Sequence, residues 1–181
     1  MLMSKIGKIN IPIPEKVKVL LSGNTVNVEG PLGKQSITLD LEMFELNIKE
    51  GKDVSIKPKK LDDTSKRLWG MNRSLLNNAI IGASSGYEKI LELTGVGFRA
   101  ALKGNVLNMQ LGFSHDINYD IPDGIKIIVE KQTTLKISGS NKQQVGMVAS
   151  EIKSIRPPEP YKGKGIKEKG QYILRKEGKK K

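Results

Sequence analysis

The residues best suited to chemistry are lysines that alternate with glycines, directly after a proline-rich turn near the end of the chain. Pro157-Pro158-Glu159-Pro160 precedes Tyr161, and Lys162-Gly163-Lys164-Gly165 follows it. Each proline fixes its own φ angle and restricts the residue before it, so this stretch is not helical. Glycine lets a backbone approach another surface closely, and the lysine ammonium is a compact charge suited to phosphate. The pattern therefore predicts a stiff turn that presents positive charge to a polyanion.

The segment from Arg156 to Lys181 carries more than half of the chain's net charge of +12, because ten bases there outnumber three acids. The acids are Glu159, Glu168 and Glu177, and the bases are Arg156, Lys162, Lys164, Lys167, Lys169, Arg175, Lys176, Lys179, Lys180 and Lys181. This asymmetry favours a nucleic acid as the partner. An anionic membrane surface and an unordered, solvated tail are the alternatives.

Three other patterns that could support catalysis or cofactor binding each lack a necessary part. Thr94-Gly95-Val96-Gly97 has the glycine spacing of a dinucleotide site, but the chain turns at Gly104-Asn105, where the phosphate-binding helix would begin. The glycines of residues 165–170 have P-loop spacing, yet Gln171-Tyr172 replaces the required lysine and hydroxyl residue. His115 is the only histidine, and the chain has no cysteine. We therefore expect no enzyme, no cofactor and no metal site.

Composition limits the compartment and the mode of binding. The chain of 181 residues has 37% hydrophobic and 4% aromatic residues. No apolar run approaches the roughly 18 residues of a membrane span, and the first residues lack the apolar core of a signal peptide. We expect a cytoplasmic protein with no membrane partner. So few aromatic residues argue against a base-stacking sheet.

Alternating apolar residues predict antiparallel strands from the start of the chain as far as Ile56, and Ile-Asn-Ile-Pro-Ile-Pro at positions 9–14 predicts an edge strand or extended arm. The period then changes after Asp62-Asp63-Thr64, which are typical of a helix N-terminus. Residues at helical spacing follow and predict the buried face of a helix: Leu68, Trp69, Met71, Leu75, Leu76 and Ala79.

The second half of the chain repeats this plan. Val26-Asn27-Val28 matches Leu107-Asn108-Met109, and Val54-Ser55-Ile56 matches Leu135-Lys136-Ile137 at the same interval. A Gly-Met pair recurs on each predicted helix at a slightly shorter interval. The sequence predicts an α+β fold of two tandem duplicated domains, residues 1–82 and 83–181. Each domain is a mainly antiparallel β-sheet packed with one α-helix, and a basic C-terminal tail spans residues 156–181.

Several motifs, spread over nearly the whole chain, resemble one known family. Pro-Glu-Pro-Tyr-Lys-Gly-Lys-Gly-Ile at residues 158–166 resembles the signature of the bacterial-type family of the sixth protein of the large ribosomal subunit. The opening at residues 4–14, the turn at residues 28–33 and the strand residues 93–100 and 111–115 are similar to the same family. Members usually begin Met-Ser, which makes Met3 a candidate start beside Met1.

The resemblance implies a structural constituent of the large ribosomal subunit with no enzymatic activity. Members bind 23S-type ribosomal RNA (rRNA) mostly through the C-terminal domain and tail, near the base of the stalk and the docking site of GTPase factors. The signature residues carried over are Tyr161, Lys162, Gly163, Lys164 and Gly165. Together with the basic residues of the tail, they are the predicted rRNA contacts, and Arg99 and His115 are secondary candidates. Expected partners are rRNA and neighbouring ribosomal proteins near the stalk base, without DNA or a homo-oligomer.

Overall fold

A computed structural model describes residues 4–49 and 52–178. Several residues lie outside the described ranges: the two candidate starts Met1 and Met3, the hairpin residues Glu50-Gly51, and three predicted contacts, Lys179, Lys180 and Lys181. The chain forms two compact units: the first extends to Gly86 and includes Ser140–Lys142, and the second contains Tyr87–Gly139 and the residues from Gln143 onward. The domain limits at residues 82 and 83 remain a prediction.

Over its described residues, the first unit contains two antiparallel sheets, with strand orders β1-β6-β5 and β2-β3-β4, and one helix. Its described elements are β1 (Ile11–Pro12), β2 (Lys18–Ser22), β3 (Thr25–Gly30), β4 (Gly33–Thr38), β5 (Phe44–Lys49), β6 (Asp53–Pro58) and α1 (Asp63–Ser84). Alternate strand positions are buried, among them Val26, Val28, Phe44, Val54 and Ile56. The predicted strands are confirmed, and the Ile-Pro repeat forms an edge strand, as expected.

Helix α1 begins after Asp62, whose extended backbone ends the preceding loop, although its side chain makes no cap hydrogen bond. Trp69 is buried, and its indole Nε1 donates a hydrogen bond to the Ile56 carbonyl at 2.6 Å. The helix prediction is confirmed, but part of the predicted buried face is wrong. Met71 and Leu75 are 49% and 41% exposed, because the row containing Trp69, Leu76 and Ile80 faces the sheets instead.

The second unit has the same plan with one addition. Its described elements are β7 (Tyr87–Thr94), β8 (Arg99–Lys103), β9 (Val106–Gln110), β10 (Ile117–Asp120), β11 (Ile125–Glu130), β12 (Thr134–Gly139), α2 (Lys142–Ile155) and β13 (Gly165–Glu168). The strands form antiparallel sheets of order β10-β9-β8 and β11-β12-β7-β13. Helix α2 buries Val145, Val148, Ala149 and Ile152 at helical spacing, and the predicted helix of the second domain is confirmed.

Strand register confirms the duplication. In the first unit Ile48 pairs with Val54, and in the second Val129 pairs with Leu135. The two pairs are separated by the same interval as the matching strings in the sequence. The units differ at one sheet edge: β1 ends its sheet, whereas its counterpart β7 has β13 beside it. No strand was predicted at β13 from the sequence.

Candidate nucleic-acid interface

The candidate interface is the C-terminal segment, residues 156–178, which begins where α2 ends at Ile155. Pro157 and Pro158 follow almost at once, and proline cannot continue a helix. Two backbone hydrogen bonds then close the chain into a turn: the N–H of Ile166 donates to the Arg156 carbonyl at 2.8 Å, and the N–H of Glu159 donates to the Lys164 carbonyl at 2.9 Å. The proline-rich signature therefore forms a closed turn, the signature turn (residues 156–166).

Two buried glycines make this turn possible. Gly163 and Gly165 have φ angles of 72° and 141°, values that other residues rarely adopt. A Cβ atom at Gly165 would lie 2.6 Å from both the Pro157 carbonyl oxygen and the Pro158 Cα. The sequence suggested that these glycines let the backbone approach the surface of a partner closely. At Gly165 the closely approaching backbone is instead the chain's own.

Strand β13 attaches the segment to the second unit. It pairs antiparallel with β7, and Ile166 lies opposite Leu93. The Ile166 side chain is fully buried in the core of the unit. The sequence left an unordered, solvated tail as an alternative, but this part of the segment is a strand. The charged residues on both sides of β13 are therefore tethered to the sheet.

Ion pairs reinforce the attachment of β13. They also distinguish Lys167, which has an acidic partner, from the solvent-facing lysines of the segment. Lys167 Nζ lies 3.2 Å from a carboxylate oxygen of Glu92. Glu168 pairs with Lys89 at 3.1 Å and with Lys153 at 3.5 Å. The pKa of Glu168 lies below its ordinary value of 4.5, mainly because Lys89 donates a hydrogen bond to the carboxylate. Burial acts in the opposite direction and raises this pKa. Among the predicted contacts, Lys167 thus has an acidic partner within the protein.

The remaining described cations of the segment after Arg156 face solvent, and they flank β13 on both sides: Lys162, Lys164, Lys169, Arg175 and Lys176. Tyr161 is 57% exposed beside them. The chain after β13 folds back, because the N–H of Lys176 donates to the Pro160 carbonyl at 2.8 Å.

Arg175 also returns to the signature turn, where its guanidinium lies 3.5 Å from the Cβ position of Gly163. It lines a cleft of about 360 Å³ with Lys167 and Tyr172. This arrangement brings charges that are distant in sequence onto one local surface.

The predicted contact Arg156 and the secondary candidates Arg99 and His115 lie on loops and strand ends of the same unit. Arg156 places its guanidinium over the Phe113 ring, 4.9 Å from the ring centre, a cation–π contact that the sequence did not reveal. His115 is exposed on the loop that carries Phe113, and Arg99 is exposed at the first residue of β8.

Some residues of the interface carried no signal in the sequence. Lys89, Glu92 and Lys153 hold the charged side chains of β13, and none of them was predicted. Their partners lie on other elements, so no local pattern could have identified them.

The described ranges contain neither a metal-binding cluster nor a membrane-spanning helix. Over residues 4–49 and 52–178, no cluster of three histidine or acidic side chains could hold a metal ion. Neither α1 nor α2, the helices of those ranges, is long and apolar enough to cross a membrane.

Comparison with known proteins gives a consistent result. Residues 94–169, from the end of β7 through β13, match the family described as Ribosomal protein L6. Similar proteins called Large ribosomal subunit protein uL6 include those of Beijerinckia indica, 47% identical over 180 residues, Xanthobacter autotrophicus, 49% over 179, and Caulobacter vibrioides, 48% over 180. Each alignment covers 99% of this chain and 100% of the relative.

Replacing Gly165 with alanine should release β13. The new methyl group would meet the backbone of Pro157 and Pro158 at 2.6 Å in an unfavourable φ region. We expect a cost of about 1–3 kcal/mol, seen as faster amide hydrogen exchange across residues 165–168. Gly146→Ala is the matched control, since a Cβ there meets nothing within 4 Å. Unchanged exchange in Gly165→Ala would show that the close packing at this glycine does not hold the strand.

The ion pairs of Glu168 should make β13 sensitive to acid. The folded pKa is depressed, so the stabilisation is complete above the ordinary pKa of 4.5 and is lost as pH falls through the lower folded value. The protection factors of the β13 amides in the wild type, each referred to the intrinsic exchange rate at the same pH, should fall over that acidic range. Glu168→Gln should weaken protection at neutral pH and remove this part of the acid response. Glu159→Gln, which changes an exposed carboxyl on the signature turn, should behave as the wild type.

Proposed function

Because the chain belongs to the ribosomal protein L6 family, we propose that it is a structural component of the large ribosomal subunit that binds 23S-type rRNA through its second unit and C-terminal segment. Proteins of this family are structural rather than enzymatic, and they act in the large subunit of the cytoplasmic ribosome. Ribosomal RNA and other ribosomal proteins are therefore the partners of this chain.

The observation that carries the rRNA assignment is a set of exposed cations on a fixed backbone. Lys162 and Lys164 project from a turn closed by two hydrogen bonds, and Lys176 is held to the same turn through its own backbone. An ordered surface loses less conformational entropy on binding than an unordered tail does. Fixed lysines can therefore match a particular arrangement of phosphates, whereas a disordered run of charge attracts any polyanion.

Recognition should depend on phosphate positions and on the shape of the folded RNA. The deep groove of an A-form helix hides base edges from side chains, and phosphate contacts set the register of a bound protein. The predicted contacts are the signature residues, the basic residues of the segment, and the secondary candidates Arg99 and His115. Lys167 contributes less in this proposal, since Glu92 already offsets its charge.

The resemblance also supports a position at the base of the ribosomal stalk, near the sarcin–ricin region and the docking site of GTPase factors. In this position the second unit contacts rRNA, and neighbouring ribosomal proteins lie near the stalk base.

Removing three exposed charges should weaken rRNA binding in a salt-dependent manner. The variant Lys162→Gln/Lys164→Gln/Lys176→Gln should lower the magnitude of the slope of log affinity against log salt by about 2–3, because each phosphate contact contributes about 0.7–0.9. The measurement is filter binding of full-length protein to transcribed 23S-type rRNA from about 50 to 200 mM salt.

The control removes three exposed charges from the first unit, as Lys16→Gln/Lys18→Gln/Lys52→Gln. Its slope should equal that of the wild type. If both variants kept the slope of the wild type, the rRNA contacts would lie elsewhere. A larger change of slope in the control than in the C-terminal variant would assign the contacts to the first unit.

The position near the stalk base predicts a defined footprint. Chemical probing of 23S-type rRNA with the wild type should show protection at the sarcin–ricin region and the adjoining stalk-base helices, since these would lie against the second unit. At about 200 mM salt the footprint should weaken in the variant Lys162→Gln/Lys164→Gln/Lys176→Gln and persist in the first-unit control. Protection confined to distant rRNA domains would contradict the assigned position while leaving rRNA binding intact.

A further inference from the structure

The duplicated units present two equivalent sheet edges, and among the described residues only one of these edges has a strand beside it. Ile11 in β1 pairs with Val54, and Leu91 in β7 pairs with Leu135, the counterpart of Val54. Two positions further along, the N–H of Ile13 donates to the Lys52 carbonyl and the N–H of Leu93 donates to the Thr133 carbonyl, both at 2.7 Å. Ile13 and Leu93 are thus equivalent.

The same register relates the residues on either side. Pro12 and Pro14 of the first unit correspond to Glu92 and Thr94 of the second. The outer edge of the first unit at residues 10–14 is called the β1 edge below.

The hydrogen-bond donors of these two edges differ. Backbone groups of successive strand residues point to opposite sides, so the groups of Glu92 and Thr94 point away from β12 and toward β13. Their partners across the ladder are Lys167 and Gly165. At the β1 edge the equivalent positions are both prolines, which have no N–H. The β1 edge therefore lacks a donor at both positions where a strand would need one.

The acceptor at the end of this edge is also occupied. In the second unit the Ile90 carbonyl accepts a hydrogen bond from the Lys169 N–H at 2.9 Å. The equivalent carbonyl in the first unit, that of Asn10, lies 3.4 Å from a guanidinium nitrogen of Arg73 in α1. Arg73 Nε also donates to the Ile9 carbonyl at 3.2 Å. A side chain of α1 thus fills the place that the tail backbone fills in the second unit.

The aligned helix position in the second unit has no such side chain. The Gly-Met pair that relates the helices places Ala149 at the position of Arg73, and Ala149 is fully buried. The two differences act together: the second unit has edge donors and a carbonyl that takes the tail backbone, and the first unit has neither.

We propose that Pro12, Pro14 and Arg73 close the β1 edge against strand addition, so that β13 of this chain or of a second copy pairs with β7 alone. A duplicated chain with one tail strand needs this discrimination, since similar sheets offer similar edges. Edge prolines and covered edges are known means by which sheets avoid unwanted pairing. The inference concerns the pairing of the chain and does not depend on rRNA binding.

The test opens the closed edge in the full-length chain. The variant Pro12→Glu/Pro14→Thr/Arg73→Ala gives the first unit the residues of the second at all three positions. The probe is a fluorescein-labelled peptide with the sequence of residues 163–170, titrated with protein and followed by anisotropy. We expect the variant to bind the peptide roughly tenfold or more tightly than the wild type, whose binding measures exchange at β7 alone.

The control variant Pro31→Ala/Pro122→Ala/Arg67→Ala changes the same residue types at exposed positions away from the β1 edge, and it should bind as the wild type does. Hydrogen exchange of the β5–β6 pair verifies that the opened variant is folded. Equal peptide binding by the wild type and the folded, opened variant would overturn the proposal.

A reciprocal variant keeps the proposal testable if the opened variant does not fold. Glu92→Pro/Thr94→Pro places prolines in the second unit at the positions equivalent to Pro12 and Pro14. It thereby removes the two backbone N–H donors that face β13. Amides of residues 165–168 should then lose protection, while the β11–β12 pair retains it. Retained protection of β13 would show that prolines at these positions do not close an edge, and the proposal would fail.

Discussion

The pairing of β13 with β7 is the interaction on which the C-terminal segment depends. A short strand supplies a backbone ladder, one fully buried side chain at Ile166, and ion pairs from Lys167 and Glu168. The pairing anchors the two stretches that flank β13. These are the signature turn before the strand and the chain from Lys169 after it. The pairing requires glycine at position 165, because a side chain there would clash with the backbone of Pro157 and Pro158.

Much of the fold could be predicted because its signals are local. Alternation identified the strands, helical spacing identified α1 and α2, and a constant interval between matching strings identified the duplication. The strand register of Val54 and Leu135 follows that interval. The buried face of α1 was only partly predictable. Its apolar residues occupy two adjacent rows, and periodicity cannot decide which row faces the sheets. The indole of Trp69, with its hydrogen bond to Ile56, marks the buried row.

The candidate site was less predictable because its determinants are distant in sequence. Gly-Ile-Lys-Glu contains one apolar residue between charged and glycine neighbours, so no alternation identifies β13. Its partner β7 is the first strand of the unit, whereas β13 is the last. The ion pairs of Lys167 with Glu92 and of Glu168 with Lys89 also join distant parts of the chain, and a count of charge treats all lysines alike. The order of residues in the signature still located the segment, because closing the turn demands glycine and proline at fixed positions.

Burial of Ile166 changes how the C-terminal segment can be manipulated. Deleting the chain after Arg156 removes more than a set of charges: it exposes the core of the second unit where Ile166 was and leaves the edge of β7 unpaired. A truncated protein that no longer bound RNA would report a damaged sheet as much as a lost contact. An affinity label attached beyond residue 178, by contrast, leaves the β13–β7 ladder complete.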